Sequence, residues 1–176
     1  MSTLERMAAI LPAGAFVEAP AEKAKDGILT LELEAEALAQ AFARLAPEAG
    51  FETVTLITAI DHMDADGLVR GKRFEVCYQF LSLAHGDRVR LLLSVDEDDP
   101  KAPTATKAFA GAAFMERECF DMFGIVFEGH DNLRRLLMPE AFEHHPLRKD
   151  FPHRGIEPDK LYNQWNRERG GAPPYH

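Results

Sequence analysis

The sequence is poor in the residues that bind redox cofactors. It holds two cysteines, Cys77 and Cys119, and neither belongs to a Cys-x-x-Cys pair that could bind zinc or an iron–sulfur cluster. Both lie within apolar patterns, which predicts two buried, reduced thiols. The glycine-rich nucleotide loops and the Gly-x-Ser-x-Gly motif of hydrolases are missing as well. We therefore expect this chain to carry no cofactor of its own.

The sequence also lacks long apolar runs. Its longest ones, such as residues 8–13 and 91–93, are far shorter than the roughly 20 residues that a helix needs to cross a bilayer. The first residues form no basic leader and precede no long apolar stretch, so we expect no secretory signal and a cytosolic chain. Contact with a membrane is then expected only through partner proteins.

Positive charge is scarce, and the net charge is -9. This balance argues against a nucleic-acid binder, because the phosphate backbone attracts basic surfaces. Residues 1–129 hold 12 basic and 22 acidic residues, whereas residues 130–176 hold 8 and 7. This change near Gly129 predicts two parts, a domain over residues 1–129 and a C-terminal segment over residues 130–176.

The apolar periodicity of residues 1–129 predicts an α+β fold. Helices are predicted at residues 2–11, 35–46 and 105–123, and strands at residues 15–18, 28–33, 51–60, 73–80 and 88–95. Ser2 and Glu5 have the spacing of a capping box at the start of the first helix. The last three strands follow one another through polar turns, which indicates antiparallel pairing. We expect a small, mostly antiparallel sheet that is covered by helices.

Residues 130–176 keep neither the helical nor the strand period for long. Six of the 11 prolines lie here, which excludes long helices and central strands and predicts an extended, proline-rich tail. The segment also carries the only tryptophan, Trp165, and isolated apolar residues such as Tyr162. Such a tail can place single anchors in pockets of another protein, or it can wrap over its own domain. The residues alone leave both interpretations open.

The third predicted helix carries several acidic residues, which could provide the two carboxylates of an acid–base catalytic site. Glu116, Glu118 and Asp121 lie close together in the sequence, and His130 follows them. On a helix, however, Arg117 and Asp121 are four residues apart and become neighbours. The simpler interpretation is a charged helix face with an intrahelical ion pair.

Two further patterns resemble metal sites only in part. Residues 61–67 match a calcium loop at Asp64, Asp66 and Gly67, but no aspartate stands two residues before Asp64, where the loop begins. We predict that they form a hairpin turn. The C-terminal segment holds five histidines without the i, i+4 spacing of a helical zinc site. These histidines are His130, His144, His145, His153 and His176. We expect no metal site.

Residues 116–137 resemble the signature of the complex I thirty-kilodalton subunit family, whose members are also known as the C subunit. The residues that carry the resemblance are Glu116, Arg117, Glu118, Asp121, Gly124, His130, Leu133, Arg134 and Arg135. A second block that is typical of the family covers residues 145–152, and similarity extends over roughly residues 28–152. Asp131 stands where the family usually has a proline, a departure that affects a turn and removes no chemical group.

The resemblance implies a non-catalytic subunit in the peripheral arm of the proton-pumping NADH:quinone oxidoreductase. FMN, the iron–sulfur clusters and the quinone pocket would belong to other subunits, and the isolated chain would have no activity. The implied partners are the forty-nine-kilodalton subunit that holds the quinone site, also known as the D subunit, and the cluster-carrying B and I subunits. The implied location is peripheral, on the cytoplasmic side of the bacterial inner membrane.

The resemblance also suggests where partners bind. The predicted partner-binding residues are His145, Pro146, Leu147, Arg148, Lys149, Asp150, Phe151, Tyr162 and Trp165. The basic residues of this set, together with Arg134 and Arg135, would form charge-assisted bonds to a partner or within the domain. Tyr162 and Trp165 would be apolar anchors. The alternative is a homologous subunit of a membrane-bound hydrogenase or of a related ferredoxin- or formate-linked complex.

Overall fold

The computed structural model describes residues 1–140 and 142–152. The elements in chain order are α1 (Thr3–Ile10), β1 (Phe16–Glu18), β2 (Leu29–Leu33), α2 (Ala35–Leu45), β3 (Thr53–Asp61), β4 (Phe74–Leu81), β5 (Arg88–Val95), β6 (Lys101–Pro103), α3 (Ala112–Phe123) and β7 (Val126–Glu128). The predicted α+β class is confirmed. Among the described residues, every helix is too short or too polar to span a bilayer.

The main sheet has five strands in the order β1-β2-β5-β4-β3. Strands β3, β4 and β5 pair antiparallel as predicted, with Phe74 opposite Val95 and Leu81 opposite Arg88 at the two ends of the β4–β5 ladder. Strand β2 pairs with β5 in parallel, so the sheet is mixed but mostly antiparallel. This parallel pairing depends on a connection through α2, β3 and β4, which the separate strand patterns do not reveal.

The core lies on one face of this sheet. Every second residue of β4, from Phe74 through Tyr78 to Phe80, is fully buried. Phe42 of α2 packs on this row, with its ring centroid 5.1 Å from that of Tyr78. Burying each such side chain stabilises the fold by about 1.5–3 kcal/mol. Only a strand places alternate residues on one face, so the alternation of apolar residues in the sequence predicts the strand.

The first helix begins as its sequence predicts. The Ser2 hydroxyl accepts a hydrogen bond from the Glu5 amide at 3.2 Å, and the Glu5 carboxylate accepts one from the Ser2 amide at 2.8 Å. Arg6 then anchors α1 to the rest of the domain, because its buried guanidinium donates to the Ala49 carbonyl at 2.8 Å and pairs with Asp87. The capping box is confirmed.

The predicted third helix is too long. Residues 105–111 form turns, and α3 begins at Ala112. The carboxylate of Glu116 accepts hydrogen bonds from the Thr104 hydroxyl and the Ala105 amide, which holds the chain before the helix in a turn. Strands β6 and β7 were not predicted, because three residues are too few to show a period. The two strands pair with each other in parallel.

The described part of the C-terminal segment lies against the domain. Leu133 and Met138 pack on the hydrophobic core, and Phe142 is buried. For these residues the structure agrees with a segment that wraps over its own domain. The division at residue 129 stays a prediction, and Tyr162 and Trp165 lie outside the described residues.

Candidate functional site

The polar residues at the C-terminal end of α3 meet around Asp121, whose side chain is fully buried. One of its oxygens, Oδ2, accepts hydrogen bonds from the amides of Leu136, Leu137 and Met138 at 3.0, 2.7 and 2.9 Å. The other, Oδ1, accepts one from the Arg135 guanidinium at 2.7 Å. Three consecutive amides that point at one carboxylate determine the path of the loop over residues 135–138.

These bonds also decide the protonation state of Asp121. Burial raises the pKa of this carboxyl, but the Met138 amide, the Arg135 guanidinium and the neighbouring amides outweigh burial and bring the pKa below its ordinary value. The group is therefore a carboxylate at neutral pH. All its hydrogen bonds hold the chain itself, so its role in the described structure is to position the loop.

Arg117 holds the same loop from the other side. Its Nε donates to the Arg134 carbonyl at 3.1 Å, and its Nη2 donates to the Arg135 carbonyl at 2.9 Å. The predicted intrahelical pair between Arg117 and Asp121 is wrong, because both side chains bond to residues 134–138 instead. Helical spacing identifies neighbours on one helix but not the partners that a folded chain brings to it.

Glu116 and Glu118 differ in their environments although they share one helix. Glu116 is fully buried, and its Oε1 and Oε2 accept hydrogen bonds from the Ala105 amide at 2.7 Å and the Thr104 hydroxyl at 2.6 Å. Burial raises the pKa of Glu116 above its ordinary value, although both hydrogen bonds oppose this. Glu118 is exposed. The charged face predicted for this helix is therefore wrong at Glu116 and Asp121, since both carboxylates point inward.

His130 joins the start of α3 to the chain that follows β7. Its Nδ1 lies 3.0 Å from the Asn132 amide, which is a donor, so Nε2 carries the proton and donates to the Ala113 carbonyl at 3.1 Å. Leu133 then packs on the core. These two residues of the resemblance therefore hold the chain in place.

Residues 145–150, which we call the docked segment, bond to the last turn of α3. Nδ1 of His145 lies 3.0 Å from the Asp121 carbonyl, the Leu147 amide donates to Met122 at 3.1 Å, and Arg148 Nε donates to Phe123 at 2.6 Å. The last carbonyls of a helix have no partner within the helix. The docked segment satisfies three of them, and Arg148 also places positive charge at the negative end of the helix dipole.

A second anchor of the docked segment is the buried Arg73. Its Nη2 lies 2.9 Å from Asp61 Oδ2 and 3.0 Å from Asp150 Oδ1, and its Nη1 pairs with Glu97. The Lys149 amide donates to Asp61 Oδ2 at 2.9 Å. Burial raises the pKa of Asp61, but the bonds from Arg73 and from two amides outweigh it and bring the pKa to about 2. One guanidinium thus joins β3, β4, the loop after β5 and the docked segment.

A comparison with known protein families shows which family the chain belongs to. The family described as respiratory-chain NADH dehydrogenase, 30 Kd subunit, matches residues 31–157. This match covers well over half of the sequence. The chain belongs to this family. The resemblance that the signature indicated is confirmed.

Relatives of the family are similar over much of the chain. The C subunit of NADH-quinone oxidoreductase from Roseiflexus sp. (strain RS-1) is 38% identical over 165 residues, which is 93% of this chain and 90% of the relative. The C subunit from Roseiflexus castenholzii is 43% identical over 123 residues, 70% of this chain and 68% of the relative. The C subunit from Ruegeria pomeroyi is 48% identical over 105 residues, and the chain spans only 50% of its length.

Two solved structures share the fold. Nqo5, in the form of a trypsin-resistant fragment (1-134), superposes with a TM-score of 0.63 at 32% identity and covers 75% of this chain and 100% of the fragment. A chain of the membrane-bound sulfane sulfur reductase, an archaeal respiratory membrane complex, superposes with a TM-score of 0.66 over 98% of this chain and 92% of its own. Its identity of 19% shows a common fold and nothing further.

The residues predicted to bind partners divide into two groups in this family member. Residues 145–150 contact the chain's own domain, although the Leu147 side chain is 53% exposed and Pro146 is half-buried. Phe151 is half-buried, with its ring centroid 6.1 Å from that of Phe142. Tyr162 and Trp165 lie outside the described residues, so partner binding by this set stays a prediction.

Asp61 and Arg73 were missed by the sequence prediction of the site. Arg73 is the first residue of the strand predicted over residues 73–80, and strand alternation puts it on the face opposite to the core residues. Its partner Asp150 is 77 residues away along the chain. No local pattern contains that pairing. Arg73 does lie within the stretch of roughly residues 28–152 that resembles the family, and this is the signal in the sequence that could have directed attention to it.

The described residues contain no group of three or more histidine, cysteine or acidic side chains placed to hold a metal ion. Both cysteines are buried, as predicted. Burial raises the pKa of Cys77 to about 11, so its thiol stays protonated at neutral pH and is a poor metal ligand.

Replacing Gly124 by alanine is expected to detach the docked segment. Gly124 ends α3 with a φ of +79°, and a Cβ here would lie 2.5 Å from Arg148 Nη2 and 2.6 Å from His145 Nε2. Backbone strain and the displaced side chains together cost about 2–3 kcal/mol. Urea unfolding measures this loss, and hydrogen exchange of the Leu147 amide reports the detachment.

Gly14→Ala is the matched control for this substitution. Gly14 has a φ of +76°, but nothing lies within 4 Å of a Cβ there, so only backbone strain of about 1 kcal/mol is expected. Protection of the Leu147 amide should stay unchanged in this variant. Equal losses of stability in the two variants, with the same exchange, would show that the contact with His145 and Arg148 does not matter.

Acid is expected to loosen the docked segment through His145. Burial lowers the pKa of His145 below its ordinary value of 6.5, the bond to Asp121 opposes this, and nearby Arg148 and Arg135 lower it further. The detached segment therefore binds a proton more readily than the docked one. Docking is fully stable above pH 6.5 and weakens as the pH falls below that value.

Hydrogen exchange of the Leu147 amide between about pH 7 and 5 measures this effect, after correction for the intrinsic rate. His145→Asn keeps a donor near the Asp121 carbonyl but does not titrate, so its protection should depend less on pH. His144→Asn changes an exposed neighbour and should behave like the wild type. A pH dependence that survives in His145→Asn would assign the titration to another group.

Proposed function

We propose that this chain is a non-catalytic subunit in the peripheral arm of a proton-pumping NADH:quinone oxidoreductase, where it holds other subunits together. Relatives of the same family are named as C subunits of NADH-quinone oxidoreductase. The proposed partners are the D subunit, which holds the quinone site, and the cluster-carrying B and I subunits, on the cytoplasmic side of the inner membrane. FMN, the iron–sulfur clusters and quinone would reside in these and other subunits.

The proposal of a non-catalytic role rests on one observation, that the buried carboxylates of α3 bond to the chain itself. The side chain of Asp121 accepts four hydrogen bonds from the chain itself, and both oxygens of Glu116 accept bonds from residues 104 and 105. A carboxylate with such partners cannot take up a substrate proton or a metal without releasing the loop that it holds. These charges are better suited to a scaffold than to a reaction.

The arrangement of the C-terminal segment supports a role in holding partners. The docked segment is tied to α3 and to Arg73, so Pro152 lies at a defined, exposed position on the domain. We propose that residues 153–176 continue from there onto a partner, with Tyr162 and Trp165 as its apolar anchors. Tryptophan and tyrosine are enriched among the few interface residues whose truncation costs about 2 kcal/mol or more.

Gentle purification of an N-terminally tagged chain from its host tests this function. The full chain should recover the subunits of the NADH dehydrogenase, identified by mass spectrometry, together with NADH:quinone activity. A chain that ends at Pro152 keeps the docked segment and should recover at least about tenfold less of these subunits. A chain that ends at residue 169 keeps both aromatic anchors and serves as the control.

The outcomes separate the possible functions. Undiminished recovery by the chain that ends at Pro152 would contradict the role of the tail. Recovery of a hydrogenase or formate-linked enzyme in place of NADH dehydrogenase subunits would establish the alternative function. NADH:quinone activity in the purified chain alone would contradict a non-catalytic role.

A further inference from the structure

We propose that a shallow groove between α3 and residues 134–140 docks an acidic segment of a partner protein. This arginine groove has a volume of about 440 Å³. It is lined by Arg117, Arg134, Arg135, Leu136, Leu137, Met138, Pro139 and Glu140. The proposal rests on the proposed function, since it needs a larger assembly, and it adds the location and the chemistry of one contact.

The positive charge of this groove is only partly neutralised by the chain. Arg117 donates to the carbonyl oxygens of residues 134 and 135, which are neutral acceptors. Within residues 1–140 and 142–152, neither Arg117 nor Arg134 has a carboxylate within 4.0 Å, whereas Arg135 is paired with Asp121. Two guanidinium charges thus remain available in a chain of net charge -9.

Two of the three arginines, Arg117 and Arg135, are held in place before a partner arrives. The two bonds of Arg117 use Nε and Nη2, so its Nη1 remains for another acceptor. Arg135 donates to Asp121 through Nη1, so the other guanidinium nitrogens of Arg135 also remain for another acceptor. A fixed guanidinium loses little conformational entropy when it binds a carboxylate, which makes such arginines effective contacts.

Exposed apolar side chains border the arginines. Leu137 in the groove is 63% exposed, and Phe114, which lies next to Arg117 on α3, is 64% exposed. The Arg117 guanidinium lies 5.7 Å from the centre of the Phe114 ring. Arginine and aromatic residues together are typical of the centres of protein interfaces. The fitting occupant is therefore a segment with an aspartate or glutamate next to an apolar residue.

A peptide fits these features better than an anionic membrane surface. Glu140 lines the groove and Glu118 is exposed on the same helix as Arg117, and both carboxylates would repel a sheet of phosphates. A peptide can place its acidic side chain on Arg117 and Arg134 and avoid both glutamates. Its apolar side chain would then cover Phe114 or Leu137.

Charge reversal at Arg134 in the full, tagged chain tests the proposal. The Arg134 side chain is exposed, so Arg134→Glu should leave the unfolding temperature unchanged. Recovery of partner subunits from the host should fall by about tenfold, and Phe114→Ser should reduce it as well. Arg88→Glu makes the same charge change at an exposed arginine at the start of β5 and should recover them like the wild type.

The outcomes separate this proposal from the proposed function. If the wild type and Arg134→Glu recover the same amount of partner subunits, the arginine groove is not a docking site, while the proposed function stands. If the wild type recovers no NADH dehydrogenase subunits, both fail. Binding to anionic lipid vesicles that is lost in Arg134→Glu, with recovery of subunits unchanged, would replace the peptide by a membrane.

Discussion

Replacing Asp121 by alanine is expected to lower the free energy of unfolding by about 3–5 kcal/mol. The substitution leaves the buried end of the Arg135 guanidinium and three consecutive amides, those of residues 136–138, without their acceptor. Each buried donor that loses its partner costs about 1–3 kcal/mol unless water replaces it. Unfolding by urea at neutral pH, followed by circular dichroism, measures the loss.

Two further variants make the Asp121 prediction specific. Glu118→Ala changes an exposed carboxylate on the same helix and should stay within about 0.5 kcal/mol of the wild type. Asp121→Asn keeps an oxygen and the size of the side chain but loses the charge, so it should fall between the two. If Asp121→Ala is as stable as Glu118→Ala, the loop over residues 135–138 does not depend on the carboxylate.

Replacing Arg73 by methionine is expected to have a similarly large effect, about 3–5 kcal/mol. The guanidinium is 1% exposed and neutralises Asp61, whose side chain is 2% exposed, together with Glu97 and Asp150. Without it, a buried carboxylate remains beside two others. The docked segment would lose its ion pair through Asp150 as well, so exchange of the Leu147 amide should also increase.

Arg88→Met is the matched control for Arg73, because it removes an exposed arginine at the start of β5. The double variant Arg73→Met with Asp61→Asn removes both charges and should recover part of the lost stability, with a coupling energy of about 1–3 kcal/mol. Strictly additive losses in this double-mutant cycle would show that the two side chains do not act as a pair.

The same pair predicts how stability depends on acid. The folded-state pKa of Asp61 is about 2, below its ordinary value of 3.8. Its contribution is therefore fully present above pH 3.8 and is lost as the pH falls toward 2. Asp61→Asn should remove this part of the acid denaturation profile, whereas the loosening assigned to His145 lies at higher pH and should remain.

The long elements of the fold were predictable because their own periods contain the information. Leu38, Phe42 and Leu45 recur at helical spacing and are buried on one face of α2. The alternation of β4 and β5 likewise matches the buried face of the sheet. Such patterns arise because one face of an element must meet the core, whatever its partners are.

Short and irregular parts of the fold could not be predicted in this way. Residues 105–111 have the composition of a helix, but the Glu116 carboxylate binds Thr104 and Ala105 and prevents a longer α3. The parallel pairing of β2 with β5 and that of β6 with β7 depend on where the whole chain brings these strands. No local window contains that information.

The sequence by itself determined the family, the α+β class and the residues of the signature from Glu116 to Arg135. Only the tertiary structure decided what these residues do. Asp121 bonds to residues up to 17 positions away, and Asp61 to Lys149, 88 positions away. The physical reason is that the pKa of a buried carboxyl, and the hydrogen bonds that it accepts, depend on the donors that surround it in space. Those donors come from segments whose proximity exists only in the folded chain.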